Sequence, residues 1–251
     1  MPSRLLASLA VAGLLTLTAG CGKDSPTTAP PASDPPSSST PSETPSESPS
    51  PSESPSESPS ASQSASTPPS GPAIETLLLP ATGLPGFNDT WDWSVKGTGP
   101  QHSPFGVCQR YPMETLGAEK TVVRRYVPAG DLTGGTGGHL VSTYVDDKSA
   151  AQAVQVIQSW HDRCKDKLSG YSTRRVSPMT SVATSQGTAS WYLVTYAKAN
   201  ADTGHFDALG VLRTGRTVEL VALNLEGQDY NYEAGKEPMV QALKNAADRL
   251  P

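Results

Sequence analysis

From Asp24 to Ser70 the chain contains no Trp, Tyr, Phe, Leu, Ile or Val, and this limits what it can fold into more than any motif does. A segment without large apolar side chains cannot bury enough surface to offset the entropy of ordering its backbone. The near-repeat SESPSPSESPSESPS occupies Ser46 to Ser60 within it. Prolines at such short intervals favour an extended, polyproline II-like backbone of ~3.1 Å per residue at full stretch. Asp24, Asp34, Glu43, Glu47, Glu53 and Glu57 face Lys23 alone, so the segment also repels itself. Residues 21–71 are therefore expected to be a disordered Ser/Pro/Glu-rich tether whose work is reach, and Ser/Thr-Pro stretches of this kind also serve as O-glycosylated stalks. Any core must come from residues 72–251, which is enough chain for one domain.

The formal net charge of −5 is the charge of the tether, which leaves the remainder close to neutral. A near-neutral domain has neither the basic footprint that nucleic acid requires nor the clustered Lys/Arg that anionic lipid attracts. Nucleic acid is excluded as a partner on that ground.

Ahead of the tether, Arg4 precedes an apolar run from Leu5 to Leu17, followed by Thr18, Ala19, Gly20 and Cys21. The run is short of the ~20 residues that a permanent span needs. It reads as a cleavable secretory signal over residues 1–20. The segment L-T-A-G-C resembles a bacterial lipobox, with Thr18 in place of the usual Leu three positions before the cysteine. That resemblance implies acylation of Cys21 and anchoring on the outer face of the cell membrane. Two or three acyl chains at ~0.8 kcal/mol per buried CH₂ would hold the protein there for long periods. The alternative, an ordinary secretory signal with an incidental Cys21, is disfavoured because tether composition begins at once.

In the remainder, Thr121–Val127, Leu140–Val145, Trp191–Lys198, His205–Arg213 and Thr217–Asn224 read as strands. Ala150, Ala153, Val154, Ile157, Trp160 and Cys164 repeat at helical spacing behind Asp146 and Asp147, either of which can cap. A last helix is expected from Pro238, with Met239, Val240, Leu243, Ala246, Ala247 and Leu250 on one face. Strands, helix, strands, helix with hairpin connections predict an α+β fold, an antiparallel sheet covered by helices. Apart from Cys21 the chain has only Cys108 and Cys164, and an isolated pair in an exported protein is expected to form a disulfide.

No residue set announces catalysis. Gly134–Gly138 lacks the Lys-Ser/Thr of a phosphate loop and sits between two strands, so it is expected to be a flexible hairpin loop. His102, His139, His161 and His205 show no metal-binding spacing and are expected at the surface or at strand ends. Neither a metal nor a cofactor is expected, and no G-x-S-x-G elbow is present. The aromatic residues Trp91, Trp93, Trp191, Tyr192, Tyr196 and Phe206 either line a groove or, as the favoured reading has it, pack in the core. Arg124 and Arg125 are adjacent on a strand and must point to opposite faces. If a pocket exists, Arg124, Arg125, His139, Trp191 and Tyr196 are its candidate residues, and an arginine there suits an anionic or carbohydrate ligand.

The strings L-L-L-P-A-T-G-L-P-G-F (Leu77–Phe87), F-G-V-C-Q-R (Phe105–Arg110), L-G-A (Leu116–Ala118), V-V-R-R-Y (Val122–Tyr126) and Q-S-W-H-D-R-C (Gln158–Cys164) together resemble one known pattern. It is the extracytoplasmic sensor-type domain of actinobacterial lipoproteins and of a mycobacterial receptor Ser/Thr kinase, the PknH-like family. The resemblance spans about Leu77 to Leu250. It implies an antiparallel sheet with helices, a cleft for an unidentified ligand and no established catalysis. This chain departs from the receptor in having cysteines for one domain disulfide rather than two, and in lacking a kinase and a transmembrane helix. The expected protein is a lipid-anchored, extracytoplasmic, monomeric lipoprotein that binds a small-molecule or cell-wall ligand, or an envelope partner, without catalysis. A cell-envelope hydrolase drawing on His139, His205 or Asp207 is the alternative.

Overall fold

The computed structural model describes residues 73–251. The expected signal segment 1–20, the acylation site Cys21 and the tether 21–71 lie outside the described residues.

The described chain opens with two 3₁₀ turns, Ile74–Thr76 and Ala81–Gly83. Eight strands follow: Trp93–Gly99 (β1), Lys120–Pro128 (β2), Gly135–Thr143 (β3), Thr173–Val176 (β4), Thr180–Thr184 (β5), Gly187–Ala197 (β6), Gly204–Thr214 (β7) and Thr217–Gly227 (β8). Helices Asp147–Asp162 (α1) and Cys164–Lys167 (α2) separate β3 from β4, and Pro238–Ala247 (α3) comes last. The strands form one antiparallel sheet in the order β1-β2-β3-β8-β7-β6, with β4 and β5 both pairing with β6. The fold is α+β.

Local chemistry explains the ends of these elements. The Asp146 carboxylate accepts the Ser149 N–H at 2.7 Å and so caps α1. Pro238 occupies the first turn of α3, where a missing N–H costs nothing. Thr214 pairs with Thr217 across a two-residue turn, and Gly215 takes the left-handed backbone (φ 52°) that the turn requires.

Both sheet faces are covered. Ala150, Ala153, Ile157 and Trp160 of α1 pack on Val123, Leu140, Val211 and Leu220. On the opposite face Met239, Val240, Leu243 and Ala246 of α3, with Ile74 and Leu77–Leu79, pack on Val122, Val141, Ala208 and Val221. A central strand so placed is buried on both sides and loses its polar/apolar alternation, as Phe206–Leu212 of β7 shows.

The structure corrects the reading of the glycine run. Residues Gly135–Gly138 are not a flexible hairpin loop; they belong to β3, all four paired with β8, and Gly137 and Gly138 paired with β2 as well. Their missing side chains admit neighbours. A Cβ on Gly135 would lie 2.5 Å from the Trp91 ring, one on Gly137 2.6 Å from Leu84, and one on Gly138 2.5 Å from the Phe105 ring. Glycine is here a packing requirement. The edge strand β1, with only Trp93 buried, and the short β4 and β5 carry too few inward side chains to be read as strands.

Candidate functional site

The loop between β1 and β2 roofs part of the α1 face. Two buried glutamines fold it: the Gln109 side-chain oxygen accepts the Phe105 N–H and, at 2.9 Å, the Gln101 amide. The Gln101 oxygen in turn accepts the Met113 N–H at 2.9 Å. Cys108 is bonded to Cys164 at the start of α2, with a Cα–Cα distance of 5.0 Å. Lys167 donates to the Gln109 carbonyl at 2.7 Å. The loop is therefore fixed to the helix layer through a bond and a charge-assisted hydrogen bond.

Beside this roof, on the same face, lies a cleft of about 300 Å³. Ser103–Gly106 form its lip, Gly137, Gly138 and Ala222 its shallow floor, and Asp207, Asn224, Lys96, Arg125 and Thr136 its polar walls. Successive strands carry Arg125 against Gly138, Gly138 against Ala222 and Ala222 against Leu209. Small side chains at the two middle positions leave the floor low between a basic and an acidic wall. A β-bulge between Val95 and Gly97 sets Lys96 next to Arg125.

Asp207 is the unusual residue of this wall. It is 7% exposed, and its carboxylate accepts from the Asn224 amide and, at 3.2 Å, from the Tyr196 hydroxyl. Among the described residues it has no ion-pair partner. Burial pushes its pKa above the ordinary aspartate value, against the lowering effect of those two hydrogen bonds. Burial also raises the Tyr196 pKa, and the neighbouring Asp207 charge adds to it. The Tyr196 ring stacks on His205 with centroids 4.9 Å apart.

The sequence candidates separate between the two faces. Arg125 lines the cleft, and Tyr196 reaches it through Asp207. Arg124 points to the α3 side, donating to the Leu78 and Leu79 carbonyls at 3.2 and 2.9 Å and to the Thr98 hydroxyl at 3.0 Å. Trp191 packs in the α3 core. His139 is a correction to the expectation of a surface or strand-end histidine. It is 0% exposed on the α3 face, its Nδ1 accepts the Leu79 N–H at 3.0 Å, and its Nε2 lies 3.1 Å from Glu219 Oε2. His161 is also half-buried, with Nε2 donating to the Ser177 carbonyl at 2.8 Å and the ring edge-on to Tyr192. Its Nδ1 meets the adjacent Asp162 carboxylate at 3.1 Å.

Lys96, Asn224 and the Gly137–Gly138 floor escaped the candidate set. Asp207 did carry a signal, being a lone acid inside the apolar run Phe206–Leu212.

No family model matches the chain, and no curated protein matches it in sequence. Among solved structures it is similar to the extracellular domain of PknH from Mycobacterium tuberculosis. That similarity covers 68% of this chain and 94% of that one, at 13% identity and a TM-score of 0.41. It is a likeness of chain trace, and no residue role transfers with it.

Proposed function

We propose that this protein is an extracytoplasmic lipoprotein, held by acylated Cys21, whose domain binds a small ligand in the cleft beneath the Ser103–Gly106 lip and does not catalyse a reaction. The observation that carries the reading is the cleft itself, a preformed hollow with a few convergent polar groups on an otherwise covered sheet. Glycines floor it and a disulfide braces the loop above it, so it is formed before any ligand arrives. A hydrolase would need an acid and a base on one reacting bond. His139 is sealed on the opposite face from Asp207 and His205, so the three do not meet at one bond, and the His205 ring is stacked on Tyr196.

The test uses the full-length protein purified from membranes. Mass spectrometry should find acyl chains on Cys21, and soluble peptidoglycan fragments should raise the unfolding temperature saturably without being consumed. Arg125→Ala should abolish the rise while leaving the unliganded unfolding temperature unchanged, since the Arg125 side chain is exposed. An unacylated Cys21, turnover of the fragments, or a rise that Arg125→Ala leaves intact would overturn the reading.

A further inference from the structure

We propose that the cleft takes a small zwitterion of dipeptide size, with its ammonium group on Asp207 and its carboxylate on Arg125 and Lys96. The inference rests on the binding reading above and adds the chemistry of the ligand.

Three observations converge on it. The first is the separation of charge. Asp207 is the only acid among the lining residues and stands on β7, whereas Lys96 and Arg125 stand on β1 and β2 at the other wall. Among the described residues none of the three takes part in an ion pair. The second is that Asp207 is served only by neutral donors, the Asn224 amide and the Tyr196 hydroxyl. Each carboxylate oxygen has accepted one hydrogen bond and keeps a free lone-pair direction. A buried carboxylate in that condition gains most from a cation, and a ligand ammonium is both small enough and rich enough in donors to supply it. A guanidinium or ammonium at the opposite wall calls for an anion, and Arg125 offers a carboxylate a two-pronged fit.

The third observation is size. Arg125 and Leu209 stand three strands apart, ~14 Å between their backbones at the usual strand spacing, and Asp207 is two residues along from Leu209. With both side chains rising from the sheet, a lean of Arg125 toward the floor leaves roughly 10–13 Å between the opposite charges. Two residues of extended peptide span at most ~7 Å, and a hydrogen bond of ~2.9 Å at each end extends the reach to ~13 Å, which bridges that gap. The volume of about 300 Å³ lies at the small end for ligand pockets and rules against anything larger than a few residues. The floor at Gly138 and Ala222 has no polar side chain, so the middle of the ligand needs only shape.

The experiment titrates three probes into the full-length protein and follows backbone amide shifts of Gly138, Ala222, Asn224 and Asp207: the free dipeptide Ala-Ala, its N-acetyl form and its C-terminal amide. The expected result is saturable shifts with the free dipeptide and at least tenfold weaker binding when either end is blocked. Asp207→Asn should erase the preference for the free amine while keeping that for the free carboxylate. Arg125→Gln with Lys96→Gln should do the reverse, and because both side chains are exposed this pair tests the idea without altering a buried position. Equal binding of all three probes, or shifts away from the cleft, would overturn the proposal. Silence from all three probes beside saturable binding of peptidoglycan fragments would end the zwitterion proposal and leave the binding reading standing. Silence from the fragments as well would end both.

Discussion

The His139–Glu219 pair offers the sharpest test of how the sheet is held to its N-terminal segment. Both side chains are 0% exposed. Because His139 Nδ1 accepts the Leu79 N–H, the ring proton sits on Nε2 and is donated to Glu219 Oε2. Glu219 Oε1 has no partner of its own. Replacing His139 by Leu keeps the volume near the original but strands the whole carboxylate and leaves the Leu79 amide unpaired. Leaving a buried carboxylate without the hydrogen bond that served it costs about 1–3 kcal/mol, and more because it is charged. An orphaned buried amide adds about 1–3 kcal/mol. The combined loss approaches the full stability of a marginal domain, about 5–15 kcal/mol. In the double variant His139→Leu with Glu219→Leu, only the amide stays unpaired, and the cost falls to about 1–3 kcal/mol. Urea unfolding of the wild type, both single variants and the double variant under oxidising conditions gives the coupling directly. A double variant at least as unstable as His139→Leu alone would show that the buried carboxylate is not what makes the histidine necessary.

The Asp207 pKa is raised by burial, so this group weakens the fold as pH rises from the ordinary aspartate value through its raised one. Asp207→Asn should therefore gain stability relative to the wild type at neutral pH and lose that advantage on acidification, read from unfolding temperatures across the pH range. Replacing both Cys108 and Cys164 by Ser opens a loop with a sequence separation of 56. In the chain-entropy account this costs about 4 kcal/mol, measurable by urea unfolding, and dithiothreitol should reproduce it in the wild type. Gly138→Ala places a methyl 2.5 Å from the Phe105 ring, and overpacking of that kind costs about 1–3 kcal/mol. It should also shift the cleft amides in the absence of any ligand.

Helix α1 was readable because its signals agree: a capping Asp146 followed by apolar residues at helical spacing that all turn inward. The β6-β7-β8 meander was readable from its turns, Gly215 above all. What defeated sequence reasoning was context. The Gly135–Gly138 run looks like a loop because glycine leaves the backbone free, and only Trp91, Leu84 and Phe105 pressing on it reveal why the side chains are missing. His139 follows the run directly, so misreading the glycines placed it at a loop end. At the site, strand alternation separated Arg124 from Arg125 correctly, yet alternation does not say which face holds the hollow. That depends on where the Cys108 loop comes to rest, a long-range packing outcome with no local signature.

The segment at which the described chain begins is fastened along the α3 face of the sheet. Tyr126 donates to the Leu79 carbonyl at 2.6 Å, Arg249 to the carbonyls of Thr76 and Leu77, and Glu75 pairs with Lys120 at 2.9 Å. Lys120 opens β2, while the cleft sits by Arg125–Val127 near its close and on the reverse side. A pull applied from upstream would bear on these carbonyl contacts, on the face opposite the cleft, and not on the Ser103–Gly106 lip.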